Sequence, residues 1–296
     1  MGSYVNRIVS ETRKGRIFFN TTIYLFLIIW GLVTLYPLLW MFMTSFKTES
    51  DFQRRPLALP EQIVFENWGF AWRGPSGVSG GNLDQSTIPE FLLNSSIATF
   101  PSLLILAVVT SLAAYSIAHY RFRLRKLFFA FFIAVLAVPV NSVLVSVFLF
   151  YAGLGLLNSY VGVICIYIAF NISFAVIILT AYFKVFPTEL TDAAVIDGCS
   201  DFGVFGRIVA PLSKGAISSV AIVNFIVIWN ELLFANVLIP KLPTLPVGAM
   251  RFRQQWGTTW TPMLAGLCIA VLPTVIFYLI FHRNLIKGIT AGAVKT

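Results

Sequence analysis

Long uncharged segments dominate the pattern of hydrophobic and polar positions along the chain. Four segments lack Asp, Glu, Lys and Arg entirely, and these are residues 17–46, 91–120, 127–183 and 254–282. A fifth segment, residues 215–239, holds a single acid, Glu231. An α-helix rises about 1.5 Å per residue, so roughly 20 apolar residues cross about 30 Å of bilayer hydrocarbon. Each segment is therefore long enough to span a membrane, and residues 127–183 are long enough to span it twice.

The pattern predicts an all-α integral membrane protein with six transmembrane helices. The expected spans are residues 18–45, 91–118, 127–151, 160–183, 215–239 and 262–282. The third and fourth spans are separated at residues 152–159, where Gly153, Gly155 and Asn158 favour a turn. Continuous apolar runs argue against the alternating strands of a barrel. The first run is too long for a signal-peptide core and lacks a small-residue cleavage site, so we expect it to remain in the protein.

Prolines lie within or near several of the predicted spans, at Pro37, Pro101, Pro139 and Pro273. Two interpretations are open at this point. The prolines could mark broken helices around a substrate. They could equally be kinks whose freed backbone groups are satisfied by neighbouring helices.

The amino-acid composition agrees with a membrane protein. The chain is 58% apolar and only 11% charged, whereas soluble domains carry about 25% charged residues. Its three cysteines are too few and too scattered for a disulfide framework. Cys165 and Cys268 fall inside apolar stretches, where a free cysteine behaves as a small buried apolar residue.

The distribution of basic residues predicts the orientation. Of the 21 Lys and Arg residues, 14 lie in the N-terminal tail (1–16), two loops (121–126 and 184–214) and the C-terminal tail (283–296). The other 7 lie in the segments 47–90 and 240–261. Because basic residues concentrate on the cytoplasmic side of membrane proteins, we expect both termini in the cytoplasm. The net charge of +9 is then a topology signal rather than a sign of nucleic-acid binding.

Two segments are expected outside the cell. Residues 47–90 are polar, with a run from Gly74 to Gly81 that we expect to be flexible, and residues 240–261 carry three prolines. External loops of this size either dock an extracellular partner or merely cap the helix ends. Residues 240–261 contain Lys241, Arg251 and Arg253 without any acid. This charge favours either acidic oligosaccharides at an entrance or an acidic docking protein.

The chain shows no energy source of its own. It contains no Gly-Lys dipeptide, so the phosphate-binding loop of nucleotide-binding ATPases is absent. Its two histidines, His119 and His282, lie at predicted helix ends and cannot form a multi-histidine metal site. A paired-carboxylate site and an intramembrane charge ladder are also missing. We therefore expect no catalytic site, no metal and no bound cofactor, and energy supplied from elsewhere.

The loop between spans four and five carries the most informative pattern. Thr188 is a candidate N-cap for a short helix, with Glu189 and Asp192 in its first turn. Gly198 suits the left-handed position that ends a helix. Ser200 then predicts a second short helix that has Phe202, Phe205 and Ile208 or Val209 on one face and is stopped by Pro211. On pattern alone, an amphipathic loop resting on the membrane is an alternative.

The order of residues in this loop resembles the signature of ABC-importer permeases. In that signature, three residues separate Glu-Ala-Ala from a Gly, and nine residues separate the Gly from Ile-x-Leu-Pro. Here Asp192-Ala193-Ala194, Gly198 and the segment 208–211 fall at those spacings, with Asp in place of Glu and Ala210 in place of Leu. The resemblance implies a type I ABC importer permease fold and a coupling helix that docks on a separate ATPase subunit. The coupling residues it implies are Glu189, Asp192, Ala193, Ala194, Gly198, Arg207 and Pro211.

Two further resemblances narrow the class. The segment 229–235, Trp-Asn-Glu-Leu-Leu-Phe-Ala, is similar to the fifth-span segment of carbohydrate-importer permeases. The tail 288–295, Gly-Ile-Thr-Ala-Gly-Ala-Val-Lys, is similar to that of the maltose-type G permease family. This tail implies an ATPase contact through Gly288, Thr290, Gly292 and Lys295. Candidates for the transport pathway are Asn230, Glu231, Asn224, Asn171 and Asn141.

The resemblance implies an ATP-driven, binding-protein-dependent importer for a carbohydrate, located in the bacterial inner membrane. The implied partners are a second homologous permease, two ATPase subunits that hold ATP and Mg, an extracellular solute-binding protein and membrane lipid. Two other functions stay open. One is an ABC permease for a non-sugar solute, and the other is a membrane scaffold that moves no solute.

The predicted orientation places Cys199 on the cytoplasmic side. A membrane-impermeant thiol reagent should leave Cys199 unlabelled in intact cells, because the loop 184–214 is on the far side of the membrane. The same reagent should label it in inverted vesicles. Labelling from outside intact cells would reverse the orientation.

Overall fold

The structure is a computed structural model that describes the backbone of residues 2–73, 87–256 and 259–293 and the side chains of residues 19–73, 87–251 and 259–281. Within these ranges, all regular secondary structure is helical. The all-α expectation is therefore confirmed for the described part of the chain. The run 74–81 lies outside the described residues.

The helices follow one another with short connections. Their bounds are α1 Gly2–Thr44, α2 Glu49–Arg54, α3 Glu66–Arg73, α4 Ile88–His119, α5 Arg125–Leu136, α6 Leu144–Gly153, α7 Tyr160–Phe183, α8 Thr188–Ile196, α9 Asp201–Val204, α10 Ala210–Leu212, α11 Lys214–Trp229, α12 Leu233–Leu238, α13 Leu245–Trp256 and α14 Trp260–Ala293. A 3₁₀ turn, Val140–Val143, precedes α6, and a π turn, Phe205–Val209, joins α9 to α10. The helices α2, α3 and α13 lie in the segments that the sequence assigned to external loops.

Four helices are long and apolar enough to cross a membrane within the described residues, and they belong to α1, α4, α7 and α14. Two bent pairs raise the possible number to six. One is α5 with the segment Val140–Gly153, bent by 90°, which corresponds to the predicted third span. The other is Asp201–Leu212 with α11, bent by 76°. The six-span count stays a prediction.

The prolines behave differently from one another. Pro37, Pro101 and Pro273 lie inside continuous helices. Pro139 lies at the bend of the third span, immediately before the 3₁₀ turn. Proline has no N–H to donate, so a helix bend is expected there.

The described chain divides into two compact units, the first comprising residues 1–71 and 256–268. In this unit the side chain of Lys47 is fully buried, and its ammonium donates to the carbonyl of Arg55 at 2.7 Å. Glu49 accepts the N–H groups of Trp260 and Thr261 at 2.9 and 3.1 Å. Because the first N–H groups of a helix have no partner within it, Glu49 supplies the missing acceptor at the start of α14.

A buried carboxylate organises the chain that follows Lys47. Asp51 accepts the Glu61 N–H at 3.1 Å and the Arg55 guanidinium at 3.1 Å. The Glu61 N–H, and then Arg55 and Lys47, hold the pKa of Asp51 below its ordinary value despite burial. A lowered pKa means that this carboxylate stabilises the fold above its ordinary pKa and loses that contribution as the pH falls through the lowered value. The segment 47–61 is therefore held by an ionised acid at neutral pH.

The second unit, residues 72–255 and 269–296, contains two hydrophobic clusters. One gathers side chains of α4, α6, α7, α12 and α13. Four hydrogen bonds fasten the segment 238–245 near this cluster. They are Asn158 N–H to Leu238 carbonyl at 2.7 Å, Lys241 N–H to Asn158 Oδ1 at 3.0 Å, Asn94 Nδ2 to Pro243 carbonyl at 3.0 Å and Leu245 N–H to Ser95 Oγ at 2.7 Å. Asn158 adopts the left-handed backbone, φ +54°, that its turn requires.

Gly248 on α13 lies against the ring of Phe91, which is almost completely buried. A methyl group at Gly248 would overlap the ring, so Gly248→Ala should destabilise the fold by about 1–3 kcal/mol. Thermal unfolding of the purified protein measures the loss. Gly153→Ala is the matched control, because nothing lies within 4 Å of the added Cβ there. Equal unfolding temperatures for the two variants would contradict the close packing of α13 on α4.

Candidate functional site

The loop between α7 and α11 begins with α8, which ends at a glycine as the sequence predicts. Gly198 has a left-handed backbone, φ +82°. The Cys199 N–H donates to the Ala194 carbonyl and the Gly198 N–H to the Val195 carbonyl, each at 3.0 Å. This pair of bonds is the Schellman motif, which satisfies the last carbonyls of a helix. The start of α8 differs by one residue from the expectation, because Pro187 rather than Thr188 occupies the N-cap position.

The second half of the loop turns through α9, the π turn and α10. Ser200 caps α9 as expected, since its Oγ accepts the Gly203 N–H at 3.3 Å. The helical path does not stop at Pro211, however, and α10 continues to Leu212. In the π turn, the Ala210 N–H donates to the Phe205 carbonyl, five residues back. The wider turn directly precedes Pro211, which has no N–H and lies in the first turn of α10.

The buried face of this loop also differs from the expectation. Phe202 is 80% exposed, whereas Val204 and Val209 are buried. They pack with Ala194 in the second hydrophobic cluster, against side chains of α4, α7 and α11. Phe202 and Val209 therefore do not share one face, and the prediction that they do assumed a single regular helix before Pro211. The π turn shifts the position of the buried residues along the helix.

Aromatic rings connect the loop to the membrane helices. Tyr115 of α4 lies 5.4 Å from Phe205 and 5.8 Å from Phe183 of α7, measured between ring centroids. Tyr120, just after α4, lies near enough to the carboxylate of Asp201 at the start of α9 for the two groups to interact. Partial burial, with Tyr115 and Asp201 beside it, raises the pKa of Tyr120 to about 12. The phenol is therefore protonated at neutral pH and available as a donor to Asp201.

The outward face of the loop presents both acids and apolar side chains. Of the seven residues implied as coupling residues, six are exposed, namely Glu189, Asp192, Ala193, Gly198, Arg207 and Pro211. Ala194 is buried, and its small side chain lets α8 approach the helices beneath. Ile196 and Phe202 are 85% and 80% exposed on the same loop. The sequence analysis missed these two, although an Ile and a Phe flanking a predicted glycine bend were visible as a signal.

The intramembrane acid Glu231 occupies a break between α11 and α12. Its Oε1 accepts the Phe234 N–H at 2.8 Å, and its Oε2 accepts the Ala235 N–H at 3.0 Å. The hydroxyl of Tyr167 on α7 donates to Oε2 at 3.1 Å. The side chain thus satisfies two backbone donors at the start of α12, where Leu232 at the N-cap cannot. The predicted continuous span 215–239 is therefore interrupted at residues 230–232.

The asparagines proposed for the pathway bond largely within their own helices. Asn171, Asn224 and Asn230 each donate to the carbonyl four residues earlier at 2.8 Å. Asn224 is buried, Asn230 is exposed, and Asn141 is exposed in the 3₁₀ turn. Asn171 and Glu231 both bond Tyr167. The Asn171 side chain donates to the Tyr167 carbonyl, and the Glu231 carboxylate accepts from the Tyr167 hydroxyl.

The C-terminal candidates are only partly described. Helix α14 continues to Ala293, so Gly288, Thr290 and Gly292 belong to a helix rather than to a separate tail. Their side-chain surroundings, and Lys295 altogether, lie outside the described residues.

The helical fold, with several helices long and apolar enough to cross a membrane, is similar to that of a solved membrane transporter. The chain superposes on one chain of a structure described as a bacterial ABC transporter involved in the import of the acidic polysaccharide alginate. The TM-score is 0.71 at 23% identity, over 90% of this chain and 95% of that chain. This likeness shows that the chain has the fold of an ABC-importer permease.

Sequence comparison places the chain in a family. Residues 106–290 match the family described as binding-protein-dependent transport system inner membrane component. The trehalose/maltose transport system permease protein MalG of Thermococcus litoralis is 31% identical over 90% of this chain and 94% of its own length. The arabinooligosaccharides transport system permease protein AraQ of Bacillus subtilis is 29% identical over 92% and 94%. The chain therefore belongs to the binding-protein-dependent permease family, and the family that the sequence resemblance indicated is confirmed.

The geometry around Glu231 predicts how strongly different substitutions there should destabilise the protein. Glu231→Ala should destabilise the protein by about 1–3 kcal/mol, because two buried N–H groups lose their acceptor. Glu231→Gln retains one acceptor oxygen and should cost less. Thermal unfolding in detergent measures both, with Asn230→Ala as the control for an exposed neighbour.

Uptake by the same variants separates a structural role from a pathway role. If Glu231→Gln unfolds normally and assembles fully but loses uptake, the carboxylate acts in the pathway as well. Equal stability of Glu231→Ala and the natural protein would contradict the capping role.

Proposed function

We propose that this chain is one permease subunit of an ATP-driven, binding-protein-dependent importer for an oligosaccharide, in a bacterial inner membrane. The observation that carries the proposal is the loop 187–212, in which a helix, a left-handed glycine and a second helix occur at the spacing of the coupling signature, with Asp192 and Ala210 as its two departures. The sugar substrate is supported by relatives named for trehalose or maltose and for arabinooligosaccharides. In this arrangement the chain is not an enzyme, and ATP and Mg are held by partner ATPase subunits.

The outward face of the loop is suited to contact with an ATPase. Ile196 and Phe202 expose apolar surface, and Asp192 adds a charge beside them. A protein interface combines such apolar anchors with a polar rim. The hydrogen bonds at Gly198 and the aromatic rings around Tyr115 hold the loop rigidly against the membrane helices. Motion of an ATPase would then be delivered to α4, α7 and α11 together.

The remaining partners follow from the predicted topology. With six spans and both termini in the cytoplasm, the segments 47–90 and 240–261 face outward and offer a surface to a solute-binding protein. A second homologous permease would complete the pathway, and the C-terminal residues 288–295 would meet the ATPase pair. Arg251 already bonds the Pro240 carbonyl at 3.1 Å. This bond favours a structural role for Arg251, which holds the segment near Pro240. Lys241 is exposed and offers a positive charge to a partner.

We propose that this subunit mainly gives the transport pathway its shape and contributes little to recognition of the sugar. Both carboxylate oxygens of Glu231 accept backbone N–H groups, and the side-chain nitrogens of Asn171, Asn224 and Asn230 each donate to a backbone carbonyl of this chain. Sugars are recognised through hydrogen bonds from side chains that are free to turn towards them. We therefore place the principal sugar contacts on the second permease.

The coupling role is tested at Gly198 and Asp192. A valine at Gly198 would have to adopt a left-handed backbone, at a cost of about 1–2 kcal/mol. Asp192→Lys reverses the charge on the exposed face of α8. Both variants should insert and fold normally, yet lose ATP-dependent uptake. Uptake and pull-down of the ATPase are measured in the same vesicles.

Gly215→Val is the matched control for Gly198→Val. Nothing lies within 4 Å of a Cβ added at Gly215, and its backbone is not left-handed. The control should retain both uptake and ATPase association. If Gly198→Val and Asp192→Lys also retain both in full, the loop is not the coupling element. A scaffold function would be indicated instead if uptake persists when the whole subunit is omitted.

A further inference from the structure

A cluster of cations surrounds an apolar cavity at the ends of three helices of the second unit. The cavity has a volume of about 270 Å³ and is lined by Ile117, Arg125, Lys126, Phe129 and Lys184. These residues come from the end of α4, the first turns of α5 and the residue after α7. None of the lining residues is an acid. Residues 187–212, which carry the coupling signature, and the acid Glu231 do not line this cavity.

The three cationic side chains have different surroundings. The Arg125 guanidinium donates to the Ala118 carbonyl at 3.2 Å, which fixes it beside α4. The Lys184 ammonium lies 5.1 Å from the centroid of the Phe129 ring, within the range of a cation–π contact. Lys126 is exposed at the first turn of α5. The side chains therefore combine positive charge with an apolar floor formed by Ile117 and Phe129.

The neighbouring surface shows what the cavity faces. Helix α5 has no buried residue, and Leu127, Phe128 and Phe131 along it are 64%, 49% and 61% exposed. An exposed apolar helix in a membrane protein contacts lipid chains. Its first turn, where the cations lie, is then at the depth of the lipid headgroups.

We propose that this cavity binds the headgroup of an anionic phospholipid. The phosphate lies among Arg125, Lys126 and Lys184, and the glycerol and first acyl carbons lie on Ile117 and Phe129. Basic pockets between transmembrane helices are suited to such headgroups. The site joins α4, α5 and α7, and α4 and α7 also carry the rings beneath the coupling loop. The proposal is independent of the solute that the transporter carries.

Native mass spectrometry of the assembled transporter tests the site, with dioleoylphosphatidylglycerol and dioleoylphosphatidylcholine as probes. The double variant Lys126→Gln, Lys184→Gln keeps Arg125 and its bond to α4. It should bind phosphatidylglycerol roughly thirtyfold more weakly, because each cation near an anionic headgroup contributes about a fivefold factor. Binding of phosphatidylcholine should not change.

The matched control is Arg121→Gln, Arg123→Gln, which removes the same charge from the adjoining loop but not from the cavity lining. This control should retain the bound phosphatidylglycerol. Equal losses for the two double variants would overturn the proposal, since the attraction would then be diffuse. Loss of a protein subunit instead of lipid would overturn it as well, because a protein would be the occupant. Equally tight binding of glycerophosphoglycerol, which lacks acyl chains, would show a site for a soluble anion and would also overturn it.

Discussion

The constraint on which the structure depends is that backbone N–H and C=O groups must find partners inside the protein when they lie in hydrocarbon. Helices meet this requirement by themselves, and the difficulty arises wherever a helix breaks. At residues 230–232 the break is repaired by Glu231, whose two oxygens accept the first N–H groups of α12. An acid in an apolar span costs about 2.5–3.5 kcal/mol on insertion scales. The cost is offset here because the carboxylate receives three hydrogen bonds, including one from Tyr167.

The same requirement shapes the loop that is proposed to couple the chain to an ATPase. The Schellman bonds at Gly198 satisfy the end of α8, and the π turn directly precedes Pro211, which has no N–H to satisfy. With its backbone satisfied, the loop can place apolar side chains both inward and outward. Val204 and Val209 face the helices, and Ile196 and Phe202 face away from them. A loop that transmits motion needs this arrangement, because it must be attached to the helices that move and must also expose a surface to the proposed ATPase.

The sequence predicted the elements that depend on local chemistry. The long apolar helices, the glycine bend at Gly198 and the Ser200 cap all follow from residue types at fixed spacing, and the structure has them. It did not predict the features that depend on tertiary contacts. The interruption before α12 needs Tyr167 and Glu231 from different helices, and the exposure of Phe202 follows from a π turn that no periodicity indicates. Helix α13 was missed because its partners, Phe91 and the bonds to Asn94 and Ser95, lie about 150 residues away.

The small number of polar side chains in the spans bears on which subunit of the proposed transporter binds the solute. A span can carry few polar groups, and most of those described in this chain are bonded to its own backbone. Such groups already have one partner within the chain, which limits how far they can turn towards a sugar. A subunit built in this way is suited to move as one body with its coupling loop. In the proposed assembly, the second permease is then the better place for side chains that bind the solute. Two subunits can thus satisfy requirements that conflict within one chain, namely a backbone that is fully bonded and side chains that are free for a ligand.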